Sequence, residues 1–336
     1  MQGHLRIIAL AILALLVGCS GGTPRGKSDS SGGNALRGSR SGVEIPESRL
    51  EEIGFRTLWK NPTGGPIVQA YCEAGNIYVV RPGKDHPFVL EKLDGESGLS
   101  VWVYPLREKL AFPPAAYSYP NELRAVNPDE LYIIQQDELI CLDDRYGAKN
   151  FGVDLGFPAS TAAAPGQDHV YVGSWNRRMY AINKQTQLEQ WSYITDDSVT
   201  APAAVGSANV YFGSEDHLIY SLTLGGGYIP GRSWTLSTGG RVTAEPLVYG
   251  DRIFVGSWDY KLYCIEDVGA EAYVRWTYPS GAPIVRQPFA FRDWIFTINQ
   301  ETKSDGSFVW SLGSVGARLG DLRWESEGLT EVLAAD

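Results

Sequence analysis

The side chains best suited to hold a metal or act as a nucleophile in this 336-residue chain are four cysteines and four histidines. Their spacing argues against both roles. His4, His86, His169 and His217 are scattered along the chain, and neither they nor Cys19, Cys72, Cys141 and Cys264 fall at the close paired spacing that zinc ligands need. No nucleophile elbow, phosphate-cradling glycine loop or Cys-x-x-Cys-His haem site is present. What remains is chemistry of contact. Trp175 and Trp258 stand in Gly-Ser-x-Asn/Asp turns, Glu215 holds the same slot of a third such turn, and Arg241 and Arg286 fall between β-rich runs. An aromatic pair with flanking charges can bind a partner, and nothing in the list can cut or oxidise one.

The elements that position these residues are set by a repeat. Trp59, Trp102, Phe151, Trp191, Trp234, Trp276 and Trp310 follow one another at intervals of 43, 49, 40, 43, 42 and 34 residues. Between them the order is constant: an apolar stretch, then two β-rich runs separated by polar turns, then the next aromatic. Segments beginning at Val170, Val210 and Ile253 align without a gap, and Ala163, Ala203, Pro246 and Pro288 each lie twelve residues past their own aromatic. Alternations such as Val170, Tyr171, Val172 predict strands with two covered faces, and no stretch carries 3.6-residue periodicity long enough for a helix pair. Four short strands per unit, repeated with a period near 42, predict an all-β propeller of four-stranded antiparallel blades.

The turns agree. In Asp94-Gly95-Glu96-Ser97-Gly98 an Asp can accept from the turn backbone and a Gly can take positive φ, so the chain reverses and presents Trp102 at a fixed offset. Tyr146-Gly147 and Thr186-Gln187 are variants ahead of Phe151 and Trp191. Each buried Trp removes about 150 to 250 Å² from water, roughly 4 to 6 kcal/mol at the upper limit, so the seven aromatics are expected to dock blade on blade without metal or disulfide. Cys141 and Cys264 take the small-residue position of the third strand, in different blades, and with Cys72 they are read as buried free thiols.

The strand Val-Tyr-Val-Gly-Ser, its Asp/Asn turn, the strand of Leu-Tyr-Ala-Leu-Asp type and the following Trp resemble the pyrroloquinoline-quinone-like (PQQ-like) β-propeller repeat, best over residues 160–191 and 242–266 and in outline over 59–334. That repeat serves both enzymes and scaffolds. The quinoprotein dehydrogenases that share it have, as a family, a calcium site, a catalytic Asp, inserted loops and often a pair of adjacent cysteines; this chain has no such pair and is far shorter. On these departures the chain is read as cofactor-free and non-catalytic, with a PQQ-dependent dehydrogenase kept as an alternative.

Residues 1–19 read as a signal peptide: an apolar run from Ile7 to Val17, too short to span a bilayer, leads into Leu16-Val17-Gly18-Cys19, which resembles the lipobox of bacterial lipoproteins with Cys19 as the lipid-attachment residue. The alternative is an ordinary signal peptide whose cleavage site contains a Cys. Ser20 in place of Asp implies outer-membrane sorting if the source has two membranes. Residues 20–48 are rich in Gly and Ser and predict a disordered tether of roughly 30 Å reach, with the propeller over 49–336. A net charge of −10 argues against nucleic acid and against adsorption to anionic membrane, so membrane contact is through the lipid alone. Lipobox, tether and repeat together resemble the propeller lipoproteins of the outer-membrane β-barrel assembly machinery, which implies an envelope protein as partner. A carbohydrate or cell-wall binder, with Trp175 and Trp258 as platforms, is the other reading. The two tryptophans either form an exposed patch or fold over neighbouring blades.

The end of the repeat is irregular. Only about twelve residues separate Ile295–Ile298 from Trp310, which predicts a degenerate sixth blade. Residues 318–325 and 329–334 are then expected to start a seventh, left incomplete, truncated, or closed by an N-terminal strand at Phe55–Trp59. Added PQQ with calcium is expected to give no dye-linked alcohol or sugar oxidation; reproducible turnover in that assay would overturn the non-catalytic reading.

Overall fold

The computed structural model describes residues 66–325, apart from 74, 125–126, 225–229, 305 and 307. Twenty-four strands form six sheets of four, each an antiparallel meander in sequence order. Blade 1 holds β1 (Gln69–Glu73), β2 (Asn76–Pro82), β3 (Phe88–Leu93) and β4 (Ser100–Leu106). Blade 2 holds β5 (Ala115–Tyr117), β6 (Glu130–Gln135), β7 (Glu138–Asp143) and β8 (Lys149–Asp154). Blade 3 follows with β9 (Ala164–Pro165), β10 (His169–Ser174), β11 (Arg178–Asn183) and β12 (Glu189–Ile194), and blade 4 with β13 (Ala204–Val205), β14 (Asn209–Gly213), β15 (Leu218–Thr223) and β16 (Arg232–Ser237). Blade 5 comprises β17 (Leu247–Tyr249), β18 (Arg252–Ser257), β19 (Lys261–Asp267) and β20 (Ala272–Pro279); blade 6 comprises β21 (Phe289–Phe291), β22 (Trp294–Thr302), β23 (Phe308–Gly316) and β24 (Leu322–Glu325).

The short first strands β5, β9, β13 and β17 lie against one another in succession, so they form the inner ring and the fourth strands the rim. Burial follows that plan. The middle strands, Val170–Ser174 and Met179–Ile182 for example, are buried on both faces, because each sheet is covered by the blade on either side. The result is a β-propeller with no helix among the described residues.

Adjacent blades are joined through the fourth strand. Trp102, Phe151, Trp191, Trp234 and Trp276 each stand beside a one-residue bulge of the fourth strand and pair with Lys92, Cys141, Ala181, Ser221 and Cys264 of the third. The bulge re-aims the side chain toward the next blade. Trp102 donates its indole N–H to the Asp144 carbonyl at 2.9 Å and packs on Gly147, where φ is 68° and an added Cβ would come within 2.6 Å of the ring. Trp276 does the same one joint from the end, donating to the Ala317 carbonyl at 3.3 Å over Gly320, φ 71°. The turns between third and fourth strands close by a main-chain bond across four residues, Gly98 to Asp94, Gly147 to Asp143, Gln187 to Asn183 and Gly320 to Gly316, each 2.8 Å.

Three expectations are corrected. Blade 6 is complete, because β22 and β23 run for nine residues each and the hairpin is longer than in other blades. Trp310 lies within β23, paired with Gln300, and the residue in the docking register is Trp324, opposite Ser314 at the same bulge. Residues 322–325 are therefore the fourth strand of blade 6 and do not open a seventh blade. Third, Cys141 and Cys264 are buried but Cys72 is exposed, since β1 is an inner-ring strand open on one side. Cys19, Trp59, Phe55–Trp59, the tether and residues 329–334 lie outside the described residues.

Gly147→Ala is expected to lower stability by about 2 to 3 kcal/mol, from the left-handed backbone and the clash with Trp102 together, read as a fall in the denaturant midpoint. Gly95→Ala in the neighbouring blade's turn, where nothing lies within 4 Å of an added Cβ, should change it little.

Candidate functional site

The turn between second and third strands is built by the same bonds in blades 3, 4 and 5. Ser174 donates to the Pro158 carbonyl at 2.7 Å, Ser214 to those of Asp197 and Ser198 at 3.2 Å, and Ser257 to that of Gly240 at 3.2 Å, which ties each turn to the linker arriving from the previous blade. The amides of Asn176, Asp216 and Asp259 then donate back to those hydroxyls at 3.2 to 3.3 Å. Their side chains meet the hydroxyls of Tyr180, Tyr220 and Tyr263 four residues on. Positive φ at Arg177 (66°), His217 (72°) and Tyr260 (65°) completes the reversal. The residue between the Ser and the Asn or Asp, namely Trp175, Glu215 or Trp258, is the one whose side chain these bonds leave free to point away.

Four of the five residues singled out as contact candidates are brought together by this scaffold. Ser198 bridges blades 3 and 4, donating its hydroxyl to the Trp175 carbonyl at 3.3 Å and accepting the Glu215 amide at 3.0 Å. Glu215 accepts from Thr200 at 3.1 Å and pairs with Arg241 at 3.4 Å. Arg241 lies 5.3 Å over the Trp258 ring, whose indole N–H donates to Thr243 at 2.8 Å, and the Trp258 amide donates to the Arg241 carbonyl at 2.9 Å. Trp175 is 58 % exposed and Trp258 40 %. Trp258 is thus half-covered by its own linker, and Trp175 stands clear. The fifth candidate, Arg286, belongs to the next linker and lies 5.6 Å from the Trp310 ring. The exposed Arg241–Glu215 pair adds little to stability, on the order of 0 to 1 kcal/mol, so its geometry orients a surface and does not hold the fold. Among the described residues no group of three or more His, Cys, Asp or Glu side chains could hold a metal ion.

A second cluster lies at the inner ring. Glu245 accepts from the Gln287 amide at 2.8 Å, and Gln287 also donates to the Pro246 carbonyl at 3.3 Å, clasping blades 5 and 6. Desolvation among the inner strands, and then the Glu73 carboxylate across from it, push the Glu245 carboxyl up to about 8 from an ordinary 4.5, with Gln287 pulling the other way. Sequence reasoning missed this pair, although a signal existed: the equivalent positions two residues before the first strand are Pro113, Ala162 and Pro202 in blades 2 to 4 and become Glu245 and Gln287 only in blades 5 and 6. Because the folded chain holds on Glu245 a proton that the unfolded chain releases above about 4.5, this stabilisation is full at low pH and is lost as pH rises through about 8. Thermal midpoints should therefore fall between about pH 4.5 and pH 8, and Glu245→Gln should flatten that slope; an unchanged slope in the variant would remove Glu245 as its source.

Residues 117–312 match the family described as Outer membrane protein assembly factor BamB, within the PQQ-like repeats. Among solved structures, BamB from Moraxella catarrhalis is similar to the chain with a TM-score of 0.55 at 16 % identity, covering 77 % of this chain and 72 % of that one. The computationally designed protein Ika8 is similar with a TM-score of 0.52 at 8 % identity, covering 78 % of this chain and 87 % of that one. At such identities the likeness is one of fold. No curated protein matches the chain.

Proposed function

The chain belongs to the BamB family of outer-membrane protein assembly factors, and from that premise we propose that it is a non-catalytic propeller of the cell envelope, lipid-anchored through Cys19, that binds a protein partner of outer-membrane assembly. The observation that carries this reading is the run of Trp175, Glu215, Arg241 and Trp258 across three blades, on turns held by the same serine, Asx and tyrosine bonds. Partly exposed side chains that mix aromatic and charged types and are fixed on rigid turns are what a protein interface uses as anchors. The carbohydrate reading is weaker on one point. A sugar platform needs an open ring face, and Arg241 occupies one face of Trp258.

The anchor, tether and propeller have distinct tasks in this proposal. The lipid fixes the chain to a membrane, residues 20–48 let the propeller stand off by roughly 30 Å, and the aromatic run meets the partner. Crosslinking in native envelope is expected to capture an outer-membrane assembly protein with the unaltered chain. In the double variant Trp175→Ala, Trp258→Ala that capture should fall about tenfold while the melting temperature stays within a degree or two. An equal loss of folding would assign both residues to the core, and retention on glycan or cell-wall columns in place of protein capture would favour the carbohydrate binder.

A further inference from the structure

Each fourth strand has two residues that flank the docking aromatic, the first of them the extra residue of the bulge. In blades 2 to 6 these are Asn150 and Gly152, Gln190 and Ser192, Ser233 and Thr235, Arg275 and Thr277, Arg323 and Glu325. In blade 1 they are Val101 and Val103, 50 % and 52 % exposed. Five blades thus place polar groups or glycine where blade 1 places branched apolar side chains in water. The strand that carries them is also an open edge: β4 pairs with β3, and no strand pairs its other side among the described residues. An exposed apolar edge strand invites another strand to add to it, and at the two positions flanking the docking aromatic the other five blades carry polar residues or glycine.

The opposite side of β4 has different chemistry. It borders a cleft of about 200 Å³ between blades 1 and 2, with His86, Tyr104, Arg107 and Lys149 on its walls and Glu138 as the acidic member. Glu138 is already taken by Lys149 at 2.6 Å. The Tyr104 hydroxyl makes no hydrogen bond among the described residues, and burial raises its pKa while Lys149 and Arg107, both close to it, pull it down. On a chain of net charge −10, this is a local cationic cleft whose donors exceed its acceptors.

A strand laid along β4 would alternate its side chains between these two sides, one set over the valines and one set into the cleft. We propose that the free edge of β4 receives an extended segment of a partner polypeptide in which apolar residues alternate with acidic ones, the apolar set covering Val101 and Val103 and the acidic set meeting Arg107 and Lys149. Main-chain hydrogen bonds supply affinity along the free edge of β4 from Ser100 to Tyr104, and Pro105, which has no N–H to offer, ends the pairing there. This surface lies on the rim and is separate from the aromatic run, so it stands or falls independently of the function proposed above.

The test uses the full chain and a fluorescein-labelled octapeptide of alternating Val and Glu, followed by anisotropy. Saturable binding is expected, weakened about tenfold or more by Val101→Ser with Val103→Ser, by Arg107→Glu, by replacing the peptide's Glu with Lys, and by methylating alternate peptide amides. Val101→Thr with Val103→Thr keeps the branched shape and the strand propensity, and should weaken binding less than the serine pair at an unchanged melting temperature. Absence of saturable binding to the unaltered chain would overturn the proposal, as would equal affinity for the amide-methylated peptide. Self-association of the chain that the serine pair abolishes would also overturn it, by showing a second copy as the occupant.

Discussion

A four-stranded meander cannot bury both of its faces alone, and the docking of a fourth-strand aromatic onto the closing turn of the next blade, as at Trp102 and Trp276, is what lets this one do so. The contact is demanding. It needs a one-residue bulge beside the aromatic to aim the ring, a turn closed across four residues to receive it, and a residue without a Cβ, or one tolerating positive φ, beneath the ring. Trp102 on Gly147 and Trp276 on Gly320 meet all three conditions. Gln187 shows that the left-handed backbone matters more than the glycine, since it holds φ 59° with a full side chain.

Around that apolar contact the joints diversify. At the first, Asp144 of blade 2 accepts from Tyr78 at 2.7 Å and from Lys92 at 2.6 Å of blade 1, in a nearly buried ion pair. At the second, Lys184 takes the equivalent place, pairs with Glu130 at 2.7 Å and lies 3.8 Å over the Tyr117 ring. At the fourth, Asp267 accepts from Tyr211 and Asn209. The charge at one position of the repeat changes sign from joint to joint, and its partners on the preceding blade change with it. Removing one member of such a pair strands the other in a low-dielectric joint, which costs more than the pair contributes. These polar joints therefore set which blade follows which, while the aromatic rings supply most of the attraction.

The same economy explains where function can sit. Turn serines, Asx residues and tyrosines of blades 3 to 5 are committed to one another, and Gly173, Gly213 and Gly256 are pressed against Val199, Val242 and Ile284 of the incoming linkers so closely that no Cβ fits. Only the slot between Ser and Asx is released, and there the sequence varies between Trp and Glu. At the rim the two residues flanking the docking aromatic are exposed in blade 1, and at those positions blade 1 alone is apolar. Function in this fold is found where a residue departs from its equivalents and no joint accounts for the departure.

The repeat was legible in the amino-acid sequence because its period, its turn residues and its strand alternation are local, and each reflects a constraint that every blade meets in the same way. That was enough for the fold, for the buried thiols of the third strands and for the turn positions of Trp175, Glu215 and Trp258. It misassigned Trp310 because spacing along the chain cannot separate a tryptophan in a long third strand from one in a fourth strand; only the pairing opposite Ser314 identifies Trp324. It could not show that Arg241 would lie over Trp258, that Glu245 would face Glu73 across the inner ring, or that β4 would stand beside a cationic cleft. Those depend on distances between blades, and such distances exist only once the joints have set each sheet against the next.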